Sequence, residues 1–421
     1  MSERRPLSYP PLKLVIQYMG PNIRFRVAQQ CPSLRNIDKI VPQTFKNLYF
    51  EPQLMTFNDT TYQLGVLQIY KNGYTPEAIS VTNRAGGAGY DVDQYGLPRI
   101  SDDHRDNLEA IRFFEDQQLE HLEAMIRAEK SRPMRSLRRI RQWELEALPY
   151  RLRRDNLEPP YDHYIKLTIK TKKSTRVECI AYTKTIHEAK EYILNRVLGV
   201  TGRRIYVDTL RMGKPWNRSM DFGNTFLRNS LGRNVLQASV KTPCIPNTGK
   251  RVVVRNMILH ENCLEALKPV LEEIPFKTLQ IAREHLSPDD WITSAEYLCI
   301  TGTVFIGEFL NFPNPRIHLQ KAYLSFAEFG AMISMLQRAS PKIGTQYSFG
   351  TQTEHFLSLA ALVFEAIPGA KKRDLQTTVI AMENDTELVV SYIKKDKGVF
   401  CCDRFVVQMI VHPKGYSDSN I

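Results

Sequence analysis

The sequence predicts an α/β chain: a short helical N-terminus and β-hairpin, one charged helix, then a degenerate leucine-rich-repeat-like α/β domain. Three observations carry this. Apolar residues in the first forty positions recur at helical spacing. A window rich in Leu, Glu, Arg and Gln runs without glycine or proline from Ser101 to Arg132. From Ile205 onward, short apolar strands recur with helical stretches between several of them. The boundaries fall at 1–100, 101–158 and 159–421. With 421 residues, 43% of them apolar, the chain can bury a core in more than one domain.

Taken in order, Pro10 and Pro11 open a helix in which Leu12, Val15, Ile16 and Met19 form an apolar stripe, ended by Gly20-Pro21-Asn22. A second helix carries Ile23, Val27 and Ala28; after Cys31-Pro32-Ser33, a third carries Leu34, Ile37 and Ile40. Leu48 to Phe50, Leu54 to Phe57, an Asn58-Asp59 turn and Tyr62 to Tyr70 read as a hairpin. Gly86 to Gly89 reads as a flexible connector. Beyond the charged helix, Pro159-Pro160 marks a boundary. Ile165, Leu167 and Ile169 alternate as in a half-buried strand, Lys172 to Ser174 turns the chain, and Val177 to Tyr182 returns it. Thr185 and Glu188 form a capping box opening a helix that ends near Gly199. Strands follow at 205–207, 252–254, 278–281, 297–300 and 317–319, with helices at 261–273, 325–338 and 353–367. From Val254 to Leu279, Leu298 and Leu319 the steps are 25, 19 and 21 residues. A leucine-rich repeat has one strand every 20–29 residues or so; a plain α/β layer fold is the alternative. Terminal strands at 377–382, 388–393 and 405–411 close the chain.

The net charge of +12 is unevenly spread. Acids dominate from Ser101 to Glu123, bases from Arg127 to Arg141, an order that suits the helix macrodipole and intrahelical pairing. A solvated bridging helix is the reading this supports. The same bases, Arg132, Arg135, Arg138, Arg139 and Arg141, form a patch that could contact phosphates, which makes a basic nucleic-acid-associated protein the alternative function. Aromatic residues for base stacking are limited there to Trp143 and Tyr150.

Catalytic and metal motifs are incomplete. Gly86 to Gly89 lacks the Gly-Lys-Ser/Thr of a phosphate loop. Asp91-Val92-Asp93-Gln94-Tyr95-Gly96 begins like a calcium loop, but Tyr95 stands where an oxygen ligand belongs and Asp102 where a glutamate does. His187-Glu188 and His260-Glu261 lack the second histidine of a zinc helix. Ser348 lacks the flanking glycine of a nucleophile elbow, because Gln346 stands there. The seven scattered cysteines contain no C-x-x-C pair. The sequons at Asn58, Asn217 and Asn384 read as chance matches. The expectation is a non-enzymatic protein with no cofactor, no metal site and no catalytic residues. No window reaches the roughly 18 apolar residues of a membrane span, and Met1 to Pro6 leads into no apolar signal segment. The expected location is therefore cytoplasmic or nuclear, with a protein partner and no membrane.

Pro11-Leu12-Lys13-Leu14-Val15-Ile16-Gln17-Tyr18-Met19, followed by Arg24 to Arg35, resembles a shortened F-box. The phrases Pro6 to Pro10, Cys31 to Arg35, Gly86 to Gly96 and Ile274 to Leu279 are similar to a nematode-expanded family of uncharacterised proteins. The F-box resemblance implies docking on the adaptor of a cullin–RING ubiquitin ligase through Pro11, Leu12, Val15, Ile16 and Met19, while a C-terminal repeat domain captures substrate. Gly20-Pro21-Asn22 is shorter than the usual inter-helix loop, and no tryptophan follows Cys31. The same apolar residues could equally pack inward on the hairpin.

Overall fold

The chain pairs its strands by two different rules, antiparallel up to Arg203 and at first parallel after it. A computed structural model describes residues 9–51, 53–99, 108–198, 203–213, 252–259, 264–282, 290–302, 310–320, 325–339, 341–351, 354–374, 376–394 and 403–416. The described residues through Arg203 make one compact unit and those from Arg204 a second. The readings placed on Gly199, Asn217, His260-Glu261, Asp102 and Cys244, Cys263, Cys401 and Cys402 lie outside the described residues.

In the first unit, α1 (Tyr9–Tyr18), α2 (Pro21–Gln30), a 3₁₀ turn (Pro32–Leu34) and α3 (Arg35–Ile40) lie where the sequence places helices, but α2 buries Arg24, expected outward, and exposes Ile23. The expected hairpin is larger than its local sequence shows. β1 (Gln43–Phe50), β2 (Leu54–Phe57) and β3 (Thr60–Tyr70) form a meander that β4 (Tyr161–Lys170) and β5 (Thr175–Ala181) extend to five antiparallel strands. Phe45, Phe50, Phe57 and Tyr62 make its aromatic core, with ring centroids 5.4–6.2 Å apart. The β3–β4 ladder runs from Thr61↔Lys170 to Tyr70↔Tyr161, joining residues from 109 down to 91 positions apart. No local periodicity encodes such a pairing.

The glycine-rich segment is pinned. After α4 (Glu77–Ala85), the Ala88 and Val66 amides and carbonyls exchange hydrogen bonds of 2.8 Å across β3. The backbones approach so closely there that a Cβ on Gly65 would run into the Gly86 carbonyl oxygen. A flexible connector is thus replaced by a close backbone crossing.

The charged region is two helices, α5 (Leu108–Lys130) and α6 (Leu137–Arg154), folded back as a hairpin around Pro133. Leu119, Leu122, Ile126, Ile140, Ala147 and Tyr150 bury their side chains with Leu97. Opposite charges meet between the helices: Glu115 of α5 pairs with Arg153 of α6 and Glu123 with Arg151 at 3.0 Å, while Lys130 at the end of α5 pairs with Glu144 of α6 at 2.7 Å. A shared buried face and ion pairs between antiparallel helices thus replace the solvated bridging helix, and the bases that meet the acids of α5 are Arg151 and Arg153, beyond the run from Arg127 to Arg141. Burial pushes the Glu115 carboxyl above its ordinary pKa, against the pull of Arg153. Helix α7 (Ile186–Val197) opens with the expected capping box, in which Thr185 Oγ1 accepts from the Glu188 amide at 3.1 Å.

One polar cluster lies inside this unit. Arg24 Nε donates to Asp38 Oδ1 at 2.8 Å, and Arg203 Nη1 donates to Asp38 Oδ2 at 3.0 Å. Arg24 also donates to the carbonyls of Asp38, Val41 and Pro42, and Arg203 to that of Val197. Burial pulls the Arg203 pKa below its ordinary value; the Asp38 charge opposes this and Arg24 adds to it.

The second unit starts with β6 (Ile205–Met212), β7 (Val252–Leu259), β8 (Thr278–Ala282), β9 (Tyr297–Thr301), β10 (Arg316–Gln320) and β11 (Gln346–Thr351), parallel neighbours in sequence order. β15 (Phe405–Pro413) runs antiparallel to β11, and β14 (Thr386–Lys394), β13 (Thr377–Ala381) and β12 (Ala370–Lys372) follow outward. The short helices α8 (Leu264–Leu267) and α9 (Asp290–Thr293) lie between β7 and β9. The longer α10 (Phe326–Ala339) and α11 (Glu354–Glu365) pack Phe329 and Phe364 together, and Phe329 also meets Phe349 of β11. The helix expected at 261–273 is described only as the single turn of α8. β11 is absent from the sequence reading although Tyr347 and Phe349 alternate with Gln346, Ser348 and Gly350 as in a half-buried strand, after a turn at Gly344.

Substituting Asp38 with alanine leaves two buried guanidinium groups without their shared carboxylate. The expected loss is about 3–5 kcal/mol for the first unit, read as a lowered denaturant midpoint; an unchanged midpoint would show that the cluster contributes nothing.

Candidate functional site

Three regions hold the chemistry that the sequence offers. The first is α1. Its apolar residues divide into two stripes: Leu12, Ile16 and Met19 face inward, with Ile16 buried and the other two half-buried. Pro11, Val15 and Tyr18, at i, i+4 and i+7, face solvent; Val15 is 41% and Tyr18 84% exposed. Leu14 and, at the start of α2, Ile23 are each 56% exposed. The five residues expected to act together on a partner are therefore not one surface. Sequence spacing missed Leu14 and Tyr18 because the apolar stripe nearest the ideal helical repeat is the one the fold uses for itself.

The second region is the bend of the α5–α6 hairpin. Arg132, Arg135, Arg138, Arg139 and Arg141 are all exposed. Arg132 pairs with Glu129 at 3.0 Å, whereas among the described residues no ion pair engages the other four. Arg138, Arg139 and Arg141 occupy the start of α6, where the helix macrodipole disfavours cations. Met134 is 93% exposed beside them. Trp143 packs against the hairpin core and Tyr150 is buried within it, which withdraws both aromatic residues from stacking.

The third is a buried row in the second unit that the sequence did not reveal. Register places Gln280, Cys299, His318 and Ser348 side by side on β8 to β11. His318 Nδ1 lies 2.9 Å from Ser348 Oγ, and His318 Nε2 lies 3.2 Å from Asp403 Oδ2. The Ser348 hydroxyl also reaches the Ile317 carbonyl at 3.3 Å. A hydroxyl, an imidazole and a carboxylate in series are the parts of an activated nucleophile. Here all three are at most 2% exposed, so no substrate reaches the hydroxyl in this conformation. The series ties Asp403, two residues before β15, to the parallel strands β10 and β11. Gly350 makes room for it, since a Cβ there would overlap the Asp403 carboxylate. No spacing rule could have found it, because the three residues come from positions thirty and eighty-five apart.

The calcium-like segment uses its carboxylates internally. Asp93 Oδ1 accepts from the amides of Tyr95 and Leu97 at 2.9 Å, and Asp93 pairs with Arg153 at 2.8 Å. Asp91 Oδ1 accepts from the Tyr182 hydroxyl and the Ile186 amide. His187, the first residue of one zinc-like motif, pairs with Glu191 at 3.2 Å. No described helix is long and apolar enough to cross a membrane.

Residues 243–353 match a family described as "Domain of unknown function (DUF3557)". The matched span contains β7 to β11, and with them His318 and Ser348, while Asp403 lies beyond it. No curated protein and no solved structure matches the chain.

Replacing Gly350 with alanine forces a methyl group into the Asp403 carboxylate. Stability should fall by about 1–3 kcal/mol, as for other overpacked sites, and the His318 ring signals should shift in NMR spectra; an alanine variant with neither change would contradict the packing described.

Proposed function

We propose that the protein is a non-enzymatic, intracellular partner-binding protein whose helical N-terminus docks on another protein. The F-box resemblance makes the adaptor of a cullin–RING ligase the partner of choice, with the strand-rich remainder as the substrate-capturing part. One observation carries the reading: α1 leaves Leu14, Val15 and Tyr18 exposed on the helix face of Pro11, although the unit has an ample core of its own. Contiguous exposed apolar side chains of this kind mark interaction surfaces. The docking residues are then Pro11, Leu14, Val15 and Tyr18, with Leu12, Ile16 and Met19 holding the helix in place.

Purified ligase adaptor should bind the full-length chain. Val15→Asp and Tyr18→Asp should each weaken binding by roughly 30-fold, equivalent to about 2 kcal/mol at a central contact, with the circular dichroism spectrum unchanged. Failure of the adaptor to bind the unaltered chain removes this partner.

A second reading, binding of a polyanion such as nucleic acid, draws on the four exposed arginines at the hairpin bend. Changing Arg135, Arg138, Arg139 and Arg141 to glutamine should flatten the salt dependence of duplex DNA binding, by about 0.9 log units per log salt for each phosphate the variant no longer neutralises. Equal slopes before and after would clear the bend of this role.

A further inference from the structure

The outer strand of the first unit's sheet, β5, differs from every other strand: all seven residues from Thr175 to Ala181 are exposed. It pairs with β4 alone, so its outer edge carries backbone donors and acceptors with no partner among the described residues. Proteins blunt such edges with prolines, bulges, inward charges or a covering loop, because a bare edge templates another strand. β5 has no proline, and its pairing with β4 runs unbroken from Thr175↔Lys170 to Ala181↔Tyr164.

The core face of the sheet also continues past its cover. Val66 of β3, Ile165 of β4 and Ile180 of β5 are in register on one face. The first two are 2% exposed and the third 56%. On the opposite face Val177 is 51% exposed. Arg176 and Glu178 lie on the same face as Ile180, so β5 mixes apolar and charged side chains at the position of an edge strand.

We infer that β5 pairs antiparallel with β5 of a second copy of this chain, joining two five-stranded sheets about a two-fold axis. The charges select both the occupant and the register. Arg176 and Glu178 share one face, and within the chain they pair at 2.9 Å. In a two-fold antiparallel pairing centred on Val177, each Arg176 stands opposite the partner's Glu178, and each Glu178 opposite the partner's Arg176. Four alternating charges then close into one cross-strand cluster, while Val177 meets its own counterpart on the other face. A shift of one residue towards Glu178 sets the two glutamates directly opposite each other, and a shift towards Arg176 does the same to the arginines. An isologous contact needs a self-complementary patch of this kind.

The test is a charge exchange in the full-length chain, read by light scattering coupled to size-exclusion chromatography. The unaltered protein should be dimeric. Arg176→Glu and Glu178→Arg, each of which sets like charges across the axis, should shift it to monomer. The double variant Arg176→Glu with Glu178→Arg restores opposite charges in the same register and should restore the dimer. Both side chains are on the surface, so circular dichroism should remain that of the unaltered chain. A Val177→Cys change, made in a Cys179→Ser background, should cross-link two copies under mild oxidation. A monomeric unaltered chain overturns the inference and leaves the edge for a strand of a different protein; a dimer untouched by either single charge reversal overturns it equally, by placing the contact elsewhere.

Discussion

Asp38 offers one carboxylate to two buried guanidinium groups, and the first unit is arranged around that shortage. A buried arginine is tolerated only where its charge is met and its N–H groups find acceptors. Arg24 meets this condition by turning back on the end of α3 and the chain after it, where carbonyls of Asp38, Val41 and Pro42 accept its donors. Arg203 meets it in part from 165 positions away, its Nη groups bonding the other carboxylate oxygen and the Val197 carbonyl at the end of α7 while its buried Nε has no acceptor among the described residues. The helical N-terminus, the entry to β1 and the exit from α7 are thereby held to one point. Hydrophobic burial alone would leave these three segments free to slide, since apolar contacts have no direction.

That anchoring has a consequence for α1. Because α2 and α3 are fixed by the arginine cluster, α1 turns only its Leu12–Ile16–Met19 stripe inward, and the neighbouring stripe of Pro11, Val15 and Tyr18 is left outside. A helix with two adjacent apolar stripes can bury one of them against its own chain and offer the other. The proposed docking surface is thus a by-product of where the core ends, as is the exposure of Ile180 on β5, where the sheet outruns its cover.

The second unit solves a different problem. Buried parallel strands ordinarily read as unbroken apolar runs, yet β8 to β11 alternate, with Gln280, His318 and Ser348 buried on one face and Leu279, Ile317, Leu319 and Phe349 on the other. The polar face is consistent with a fold only because its groups bond to one another, as His318 does with Ser348 and Asp403 and as Gln280 does with Gln320 at 3.2 Å. The match to a domain of unknown function covers β7 to β11, where most of these groups lie.

What the sequence determined by itself is local. Helical spacing located α1 to α3, the Thr185–Glu188 pattern located the start of α7, and short apolar runs located β6 to β10 and β13 to β15, because each signal is written within a dozen residues. What the tertiary structure decided is which of these elements meet. The acids of α5 face the bases of α6 across a turn at Pro133, β4 joins β3 after about ninety intervening residues, and Asp403 comes to His318 from eighty-five positions away. Nor could spacing say which of two apolar stripes on α1 is buried. Each of these depends on where a distant segment lies, and a local periodicity records only the face a segment must hide, not the surface that hides it.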